Sequence, residues 1–382
     1  MVGVLDMCED MKTDREKKVA LIAGVTGMVG ASLAKLLLKN DAGSFSWKVY
    51  GVSRHRVPTW MQEPPFHHIC CDLLDCHQAM ANLSPLSDVT HIFFVTWTSR
   101  DTEQENCVTN TTMLKNLLEP LLKSCKNLQH VCLQTGIKHY IGSHVRFASI
   151  TSPMYIESAN RLSDLNFYYA QEDYLFDVLG SYPREHNVSW SIHRPGLIFG
   201  LSTSSFVNVV YALGVYASIC KHEKTPLAFI GTETTWESHL NASDANLIAE
   251  QQIWAATHTE VHNQAFNVSN GDDHTWKEIW VVLAQSFGID YEPCLQQPQT
   301  FVELMKGKIQ VWEDIVHLYG LFHTRLENYF MGWHILDVVF QKMPTGKSSM
   351  QKSQSSGFHN ARDTKQSLLY WIDKMRKAKL VL

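Results

Sequence analysis

The sequence lacks a strong excess of either charge. Its 382 residues include 33 lysines and arginines against 38 aspartates and glutamates, a net charge of -5. Proteins that bind nucleic acid normally carry a basic face, so no nucleic-acid partner is expected. Apolar runs fall short of the roughly 20 residues that span a membrane, and the run over 207–220 is interrupted by Asn208 and Gly214. We therefore expect no membrane span.

The cysteines show no organised pattern, and no secretory signal is expected. The nine cysteines are scattered and form no Cys-x-x-Cys pair, and the first residues are polar with charges of both signs. A secretory signal would begin with basic residues followed by an apolar stretch. Because reduced thiols are typical of the cytosol, we expect a cytoplasmic protein, with no sign of a metal site.

What the sequence does contain is an alternation of short apolar runs with helical patterns. Strands are predicted at 19–23, 47–52, 66–71, 91–95, 128–134, 190–193 and 265–269, and a helix at 113–122. Strands separated by helices favour a parallel sheet covered on both faces. We predict an α/β fold, a Rossmann-type doubly wound parallel sheet with a smaller, mainly helical C-terminal substrate lid.

Three glycines lie directly after the first predicted strand. Gly24, Gly27 and Gly30 form a Gly-x-x-Gly-x-x-Gly turn that leads into a helical pattern. Glycine permits positive φ and a close approach of the backbone to a pyrophosphate, and the helix N-terminus attracts negative charge. The spacing is that of extended short-chain dehydrogenases. The alternative is a turn used only for packing, but its position after a strand favours a dinucleotide site.

The end of the second predicted strand indicates which dinucleotide is bound. An acidic residue there would hold the ribose 2′-hydroxyl of NAD, but this chain has Ser53, Arg54, His55 and Arg56. A guanidinium can bind a phosphate through two parallel hydrogen bonds. We therefore predict NADPH/NADP+ as the cofactor, with Arg54 as the leading contact; solvated surface cations are the alternative. Asp72, after the third strand, is expected to meet the adenine.

The domain boundaries follow from these elements. We predict a loose tail over 1–17, an NADP-binding Rossmann domain over 18–200, and a region over 201–382 that is mostly substrate-binding lid. The strand near 265–269 is expected to return to the sheet of the first domain.

The ordinary short-chain dehydrogenase dyad is missing. That dyad is Tyr-x-x-x-Lys on one helix, which places both side chains on the same face. Four residues after Tyr168 comes Glu172, and four after Tyr169 comes Asp173. A carboxylate there would raise the pKa of the phenol rather than lower it. Either a lysine comes from elsewhere in the chain or the catalytic mode differs.

Several segments, taken in order, resemble the plant progesterone 5β-reductase and iridoid synthase-like family. They are GVTGMVG (24–30), LQTGIKHYIG (133–142), NFYY (166–169), WSIHRPGLIFG (190–200), YASICKHE (216–223) and AFNVSNGD (265–272). The resemblance runs from about residue 19 to the final YWIDKMRKAK and covers essentially the whole folded chain. It implies reduction of the carbon–carbon double bond of a small apolar enone or enal, and hints at a homodimer.

The resemblance also implies roles for individual residues. The active lysine would be Lys138 and the active tyrosine Tyr168, which would also contact the cofactor. Further cofactor contacts are implied at Thr26, Gly27, Met28, Arg54, His55, Asp72, Leu73, Thr96, Gln134, Ile198, Ser205, Phe206 and Val207.

On the physical side, an ammonium near a phenol is expected to favour the anionic phenol. The hydroxyl of Tyr168 is the natural donor to the oxygen of an enolate. Without the resemblance, an aromatic pair such as Tyr168 and Tyr169 would more often pack in the core, and Lys138 would more often lie on the surface. Trp97 is expected either to wall the substrate pocket or to fill the core, and His139 and His193 to be structural hydrogen-bonding residues.

The chain departs from the family pattern in three places. His55 stands where the family has a second arginine, so phosphate binding is expected to rest on Arg54. The segment 143–162 lacks the acidic, proline-rich character of its relatives, and the lid around 329–339 also diverges. These differences concern the shape of the pocket and therefore the identity of the substrate.

Two other functions compete with the enone reductase. A nucleotide-sugar epimerase or dehydratase of the extended short-chain family would carry Tyr-x-x-x-Lys, which is absent here. A non-catalytic NADPH-binding regulator would have lost the catalytic pair, yet Lys138 and Tyr168 are both present.

Overall fold

The structure, a computed structural model, describes residues 16–39, 45–61, 65–142, 154–181, 187–203, 205, 207–293, 299–322, 324–326, 330–341 and 346–382, with the backbone alone at 16, 330 and 331. Its strands, in chain order, are β1 (Glu16–Ala23), β2 (Phe45–Ser53), β3 (His67–Cys70), β4 (His91–Phe94), β5 (His130–Gln134), β6 (Met154–Tyr155), β7 (Ser189–Pro195), β8 (Leu197–Phe199), β9 (Leu227–Ala228), β10 (Ala242–Asp244), β11 (Gln264–Val268), β12 (Tyr291–Glu292) and β13 (Lys347–Ser348). Its helices are α1 (Met28–Leu38), α2 (Cys76–Leu83), α3 (Glu103–Ser124), α4 (Lys138–Ile141), α5 (Phe167–Gly180), α6 (Val209–Glu223), α7 (Glu233–Trp236), α8 (Ala245–Thr257), α9 (Trp276–Phe287), α10 (Phe301–Lys306), α11 (Ile309–Tyr319), α12 (Phe330–Gln341), α13 (Gln351–Ser355) and α14 (Thr364–Lys377).

Among the described residues, seven strands form one sheet in the order β3-β2-β1-β4-β5-β7-β11. Every neighbouring pair in this sheet is parallel. The order reverses between β1 and β4, the switch point at which open α/β sheets bind ligands outside the carboxyl ends of their strands. All seven predicted strands are found, including the returning strand β11, which confirms the Rossmann-type prediction.

Side chains of β1 alternate between two apolar layers. Ala20 and Ile22 belong to the core that includes α1 and α8, whereas Leu21 and Ala23 belong to the core that includes α2 and α3. All four side chains are fully buried. Because helices cover both faces of the sheet, a strand of this kind is a continuous apolar run in the sequence.

The C-terminal third packs aromatic side chains into the first of these layers. The ring centroid of Phe340 lies 5.9 Å from that of Trp280 and 5.5 Å from that of Phe301, and all three side chains are fully buried. Helix α14 is held by Asp244, whose Oδ2 accepts a hydrogen bond from Trp371 Nε1 at 2.8 Å. These residues share one core with the sheet, so the division into two domains at residue 200 stays a prediction.

One helix differs substantially from its prediction. Helix α3 begins at Glu103, ten residues before the predicted start at 113. Its first turns are polar, and Thr102 and Glu105 form a capping box that stabilises the helix start without apolar periodicity. Within the described part of the chain, none of the helices is both long and apolar enough to cross a membrane.

Candidate functional site

The glycine turn after β1 adopts a conformation that only glycine suits. Gly24 has a φ of +93°, and a Cβ there would lie 2.8 Å from Cβ of Thr96. A Cβ on Gly30 would lie 2.1 Å from the carbonyl oxygen of Gly24, so helix α1 can pack this closely on the turn only through glycine. Gly27 is the N-cap of α1 and supplies no side chain to its first turn. The turn therefore leaves the N-terminus of α1 open to a ligand.

A cavity extends from this turn along the carboxyl ends of the central strands; we call it the glycine-turn cavity. Of the predicted cofactor contacts, it is lined by Gly24, Thr26, Gly27, Met28, Arg54, His55, Asp72, Leu73, Thr96, Gln134, Ile198 and Ser205. It is also lined by residues that the sequence analysis did not single out for it, namely Val29, Val52, Ser53, Cys71, Val95, Trp97, Thr98 and Met113. Most of these follow a strand or neighbour a predicted contact, which is the signal that could have found them.

Three predicted cofactor contacts are placed differently, and a fourth is not among the described residues. Gly30 does not line this cavity and serves the close packing of α1 on the turn. Tyr168 and Val207 line the neighbouring cavity instead. Phe206 lies outside the described residues.

The loop after β2 presents two basic side chains at the rim of the glycine-turn cavity. Arg54 and His55 are both exposed. Ser53 supports the loop, because its Oγ donates a hydrogen bond to the carbonyl oxygen of His55 at 2.8 Å and lies 2.8 Å from Nε2 of His68. Ser53 thus supports the loop from its buried side, while the side chains of Arg54 and His55 are exposed.

A second cavity, the apolar cavity, opens from the first. The two share Met28, Val95, Thr96, Trp97, Gln134, Ile198 and Ser205. Its own walls are Thr135, Gly136, Ile137, Lys138, Ile141, Gly142, Tyr168, Pro195, Gly196, Leu197, Val207, Val209, Ile335, Val338 and Val339. The last three belong to α12, so a helix of the C-terminal third closes this cavity. Lys138 and Tyr168 therefore face one space, and Trp97 lines both cavities.

Lys138 is the first residue of α4, just after β5. Its Nζ lies 2.6 Å from Oε2 of Glu103 and 4.7 Å from the centroid of the Phe167 ring. The side chain of Lys138 is 21% exposed and that of Glu103 is 18% exposed. The ammonium thus reaches the cavity already paired with a carboxylate, a partner that the sequence analysis missed.

Tyr168 stands in the first turn of α5. The N-cap of this helix is Asn166, whose Oδ1 accepts a hydrogen bond from the backbone N–H of Tyr168 at 3.0 Å. Nδ2 of the same side chain donates to the carbonyl oxygen of Lys138 at 2.9 Å. Asn166 is buried and therefore ties the backbones of the two candidate catalytic residues together.

The hydroxyl of Tyr168 lies directly over Gly136, where an added Cβ would come within 3.0 Å of it. Burial raises the pKa of this phenol above its usual range, and the charge of Glu103 raises it further. This shift gives no support to the expectation that Lys138 would favour an anionic phenol. The ammonium of Lys138 is paired with Glu103, and the raised pKa favours the protonated form of Tyr168.

Comparisons with known proteins show the family of this chain. Residues 72–382 match the model of the PRISE-like Rossmann-fold domain family. The (S)-8-oxocitronellyl enol synthase of Nepeta cataria is 46% identical over 377 residues, which cover 98% of this chain and 95% of that one. The 3-oxo-Delta(4,5)-steroid 5-beta-reductase of Arabidopsis thaliana is 45% identical over 379 residues, with coverage of 98% and 95%. This chain belongs to the PRISE-like family.

Solved structures share the fold of this PRISE-like protein. An epimerase from Methanothermobacter thermautotrophicus has a TM-score of 0.67 at 13% identity, covering 95% of this chain and 94% of its own. A UDP-glucose 4-epimerase from Thermotoga maritima has a TM-score of 0.64 at 14% identity, with coverage of 94% and 99%. At these identities the likeness concerns the fold alone.

In this PRISE-like protein, the position of the usual lysine belongs to an ion cluster. Glu172, four residues after Tyr168, is buried, and its oxygens lie 2.7 Å from Arg161 and 3.4 Å from Arg194. Burial alone would raise the pKa of Glu172, but His139 and the two arginines lower it. Glu172 does not line the apolar cavity, so it is not a substitute for the missing lysine.

The two histidines that were expected to be structural are both buried. His193 Nδ1 lies 2.7 Å from Oε1 of Gln251, and His139 Nδ1 lies 3.5 Å from Glu172. The carbonyl oxygen of His139 accepts a hydrogen bond from the hydroxyl of Tyr169. Neither side chain lines the apolar cavity, which agrees with structural roles.

The divergent segment 143–162 lies partly outside the described residues, over 143–153.

Proposed function

We propose that this chain is an NADPH-dependent reductase of the carbon–carbon double bond of α,β-unsaturated carbonyl compounds, with Lys138 and Tyr168 as its catalytic residues. The observation that carries the proposal is that both residues line an apolar cavity that opens into the glycine-turn cavity. The relatives support a reductase, since one is named as a steroid 5-beta-reductase and another as an enol synthase.

The glycine-turn cavity fits a dinucleotide. Its glycines admit a close backbone approach, and the open N-terminus of α1 favours a pyrophosphate. Arg54, exposed at the rim, would hold the 2′-phosphate of NADPH. When bound, the cofactor would supply the hydride that adds to the β-carbon of the substrate.

Tyr168 would donate its hydrogen bond to the carbonyl oxygen of the substrate. Negative charge grows on this oxygen as hydride adds to the β-carbon, and a fixed donor stabilises it most at that moment. One such donor contributes roughly 3–4 kcal/mol, about a hundred- to a thousandfold in rate. The resulting enolate would take its α-carbon proton from solvent. Lys138 would fix the polar end of the cavity through its pairing with Glu103.

The apolar cavity indicates the class of substrate. Apart from Lys138 and Tyr168, most of its walls are hydrophobic, and three aliphatic side chains come from α12. Such walls bind an apolar skeleton and leave the carbonyl as the single polar group to be recognised. We propose a terpenoid or steroid enone or enal as substrate, a cytoplasmic location, and a homodimer.

The epimerase alternative is less well supported. An enzyme of that type needs the lysine one helical turn after the tyrosine, and Glu172 occupies that position within an ion cluster. The regulator alternative predicts the loss of one or both catalytic residues, whereas both are retained and line one cavity.

A reductase assay tests the proposal. The enzyme is supplied with NADPH and cyclohexenone, and the loss of nicotinamide absorbance is followed for wild type, Tyr168→Phe and Tyr174→Phe. Tyr174 is a matched control, because it lies on the same helix α5 but outside both cavities. We expect Tyr168→Phe to lose about a hundred- to a thousandfold in kcat and Tyr174→Phe to retain activity. If wild type oxidises no NADPH with any enone, the proposed function is wrong.

A further inference from the structure

Glu103 links the two elements that carry the catalytic residues. Its Oε2 lies 2.6 Å from Nζ of Lys138 on α4, and its Oε1 accepts a hydrogen bond at 2.8 Å from the backbone N–H of Phe167 at the start of α5. Phe167 directly precedes Tyr168. One carboxylate therefore fixes both the ammonium and the turn that holds the phenol.

This carboxylate is not required by its own helix. The N-terminus of α3 is capped by Thr102 and Glu105, which satisfy each other's backbone N–H groups in a complete capping box. Glu103 also receives a contact at 3.5 Å from Nδ2 of Asn106, long for a hydrogen bond. Its two short interactions are thus both made to other elements, those of the candidate site.

The position of Glu103 is electrostatically favourable. Its charge opposes the ammonium of Lys138 and also lies at the N-terminus of α5, where negative charge is stabilised. The titratable groups that face it are Lys138 on α4, Tyr168 on α5 and the thiol of Cys107 on its own helix. Lys138 is the one cation in this set, and the pair is only partly exposed.

We propose that Glu103 is a positioning residue of this reductase, which locks the ammonium of Lys138 to the first turn of α5 so that Tyr168 meets the substrate carbonyl as a neutral hydrogen-bond donor. This inference rests on the proposed function. It adds Glu103 to the site as a third residue. It also makes Lys138 part of an ion pair, so that the charge of the ammonium is balanced before the substrate binds.

Variants at this position separate its two contacts. Glu103→Gln keeps an amide oxygen for the N–H of Phe167 but removes the charge opposite Lys138. Glu103→Asp keeps the charge on a side chain one methylene shorter. We expect Glu103→Gln to lower kcat by about 10- to 100-fold, as a misplaced catalytic group does. Its effect on KM should be smaller, and Glu103→Asp should recover part of the loss.

The pH dependence of kcat distinguishes a positioning role of Glu103 from a merely structural one, which would leave this dependence unchanged. Removing the negative charge from beside Tyr168 leaves an unbalanced ammonium, which favours the phenolate. Any alkaline limb of the pH–kcat profile that this phenol causes should therefore lie at lower pH in Glu103→Gln than in wild type, and should return toward wild type in Glu103→Asp. Glu119→Gln is the control, because Glu119 is a partly exposed residue of the same helix whose partner is Lys115.

A titration without turnover distinguishes this inference from the proposed function. The enzyme is labelled with ¹³C at the ζ carbon of tyrosine, the Tyr168 signal is assigned by its loss in Tyr168→Phe, and its pH titration is followed by NMR. We expect the signal to titrate at lower pH in Glu103→Gln than in wild type, even if no enone is reduced. An unchanged Tyr168 titration, or a Glu103→Gln enzyme with wild-type kcat and pH profile, would overturn the inference.

Discussion

Three buried histidines should make the stability of this protein steeply dependent on pH. His91, His130 and His193 lie on the adjacent strands β4, β5 and β7 and are at most 1% exposed. The ring centroids of His91 and His130 are 6.5 Å apart. His130 and His193 share one neutral partner, Oγ of Ser191, at 2.8 and 3.1 Å from their Nε2 atoms. Protonation would place positive charges side by side in the core.

The size of this loss of stability follows from the shifted pKa values of the three histidines. Burial lowers the pKa of His193 from 6.5 to about 4, that of His91 to about 3, and that of His130 well below 6.5. Because the unfolded chain binds these protons more readily, the stabilisation is complete above pH 6.5 and is lost as the pH falls toward the folded values. For His193, a difference of about 2.5 units at 1.36 kcal/mol per unit is about 3.4 kcal/mol.

The slope of the free energy of unfolding against pH is as informative as the total loss of stability. At pH 5.5 each unfolded histidine is about nine-tenths protonated, so three of them should give a slope of about 3.7 kcal/mol per pH unit. Typical unfolding free energies are only about 5–15 kcal/mol. The summed loss by pH 4 is about 10 kcal/mol, so a protein with a typical free energy of unfolding should lose most or all of its stability before pH 4 is reached.

Urea titrations between pH 7.5 and 5, followed by tryptophan fluorescence, measure this slope. His193→Gln should lower stability at pH 7.5 but reduce the slope by about a third, because one proton fewer is taken up on unfolding. His77→Gln is the control, since His77 is exposed on α2. A stability that stays constant from pH 7 to 5, or a slope that His193→Gln leaves unchanged, would refute the reasoning.

Two further predictions concern the cofactor end of the site. Arg54→Ala should raise the KM for NADPH by about 10- to 100-fold, the loss of a charge-assisted hydrogen bond, and leave the KM for NADH nearly unchanged. Arg56→Ala is its control, and equal effects on both cofactors would contradict the assignment of Arg54. Gly30→Ala should destabilise the protein by about 1–3 kcal/mol or more, because its Cβ would lie 2.1 Å from a backbone oxygen of the glycine turn. Gly180→Ala, with nothing within 4 Å, should leave the Tm nearly unchanged; a Gly30→Ala protein as stable as wild type would contradict the packing argument.

The fold was predictable because its signals are local. A strand covered on both faces must be apolar throughout, as at 20–23, and a turn under a helix N-terminus must be glycine where a Cβ would collide. Parallel strands then place their carboxyl ends along one edge, which predicts most of the glycine-turn cavity. What local signals could not supply is the extent of α3, whose polar start is stabilised by a capping box rather than by an apolar stripe.

The candidate catalytic site was harder to predict, because its residues are not linked by local signals. Lys138 and Tyr168 lie on different helices, and only resemblance to a family connected them. Glu103 was missed because the predicted helix began at 113, so its carboxylate lay outside any predicted element. Its partners are 35 and 64 residues away along the chain, beyond the range of any periodicity.

The environment of Glu172 explains why the lysine of the usual dyad is absent. A lysine at that position would add a third cation beside the buried Arg194 and the partly exposed Arg161, in place of the carboxylate of Glu172 that pairs with both. Like charges in such a place cost far more than exposed ones. The ammonium must therefore enter the site from another element, and Lys138 does so with Glu103 as its own counter-ion. An ammonium neutralised in this way stabilises developing charge through positioned hydrogen bonds and does little to acidify a phenol. Such a site suits an enolate oxygen, which needs a donor, better than an alcohol, which needs a base.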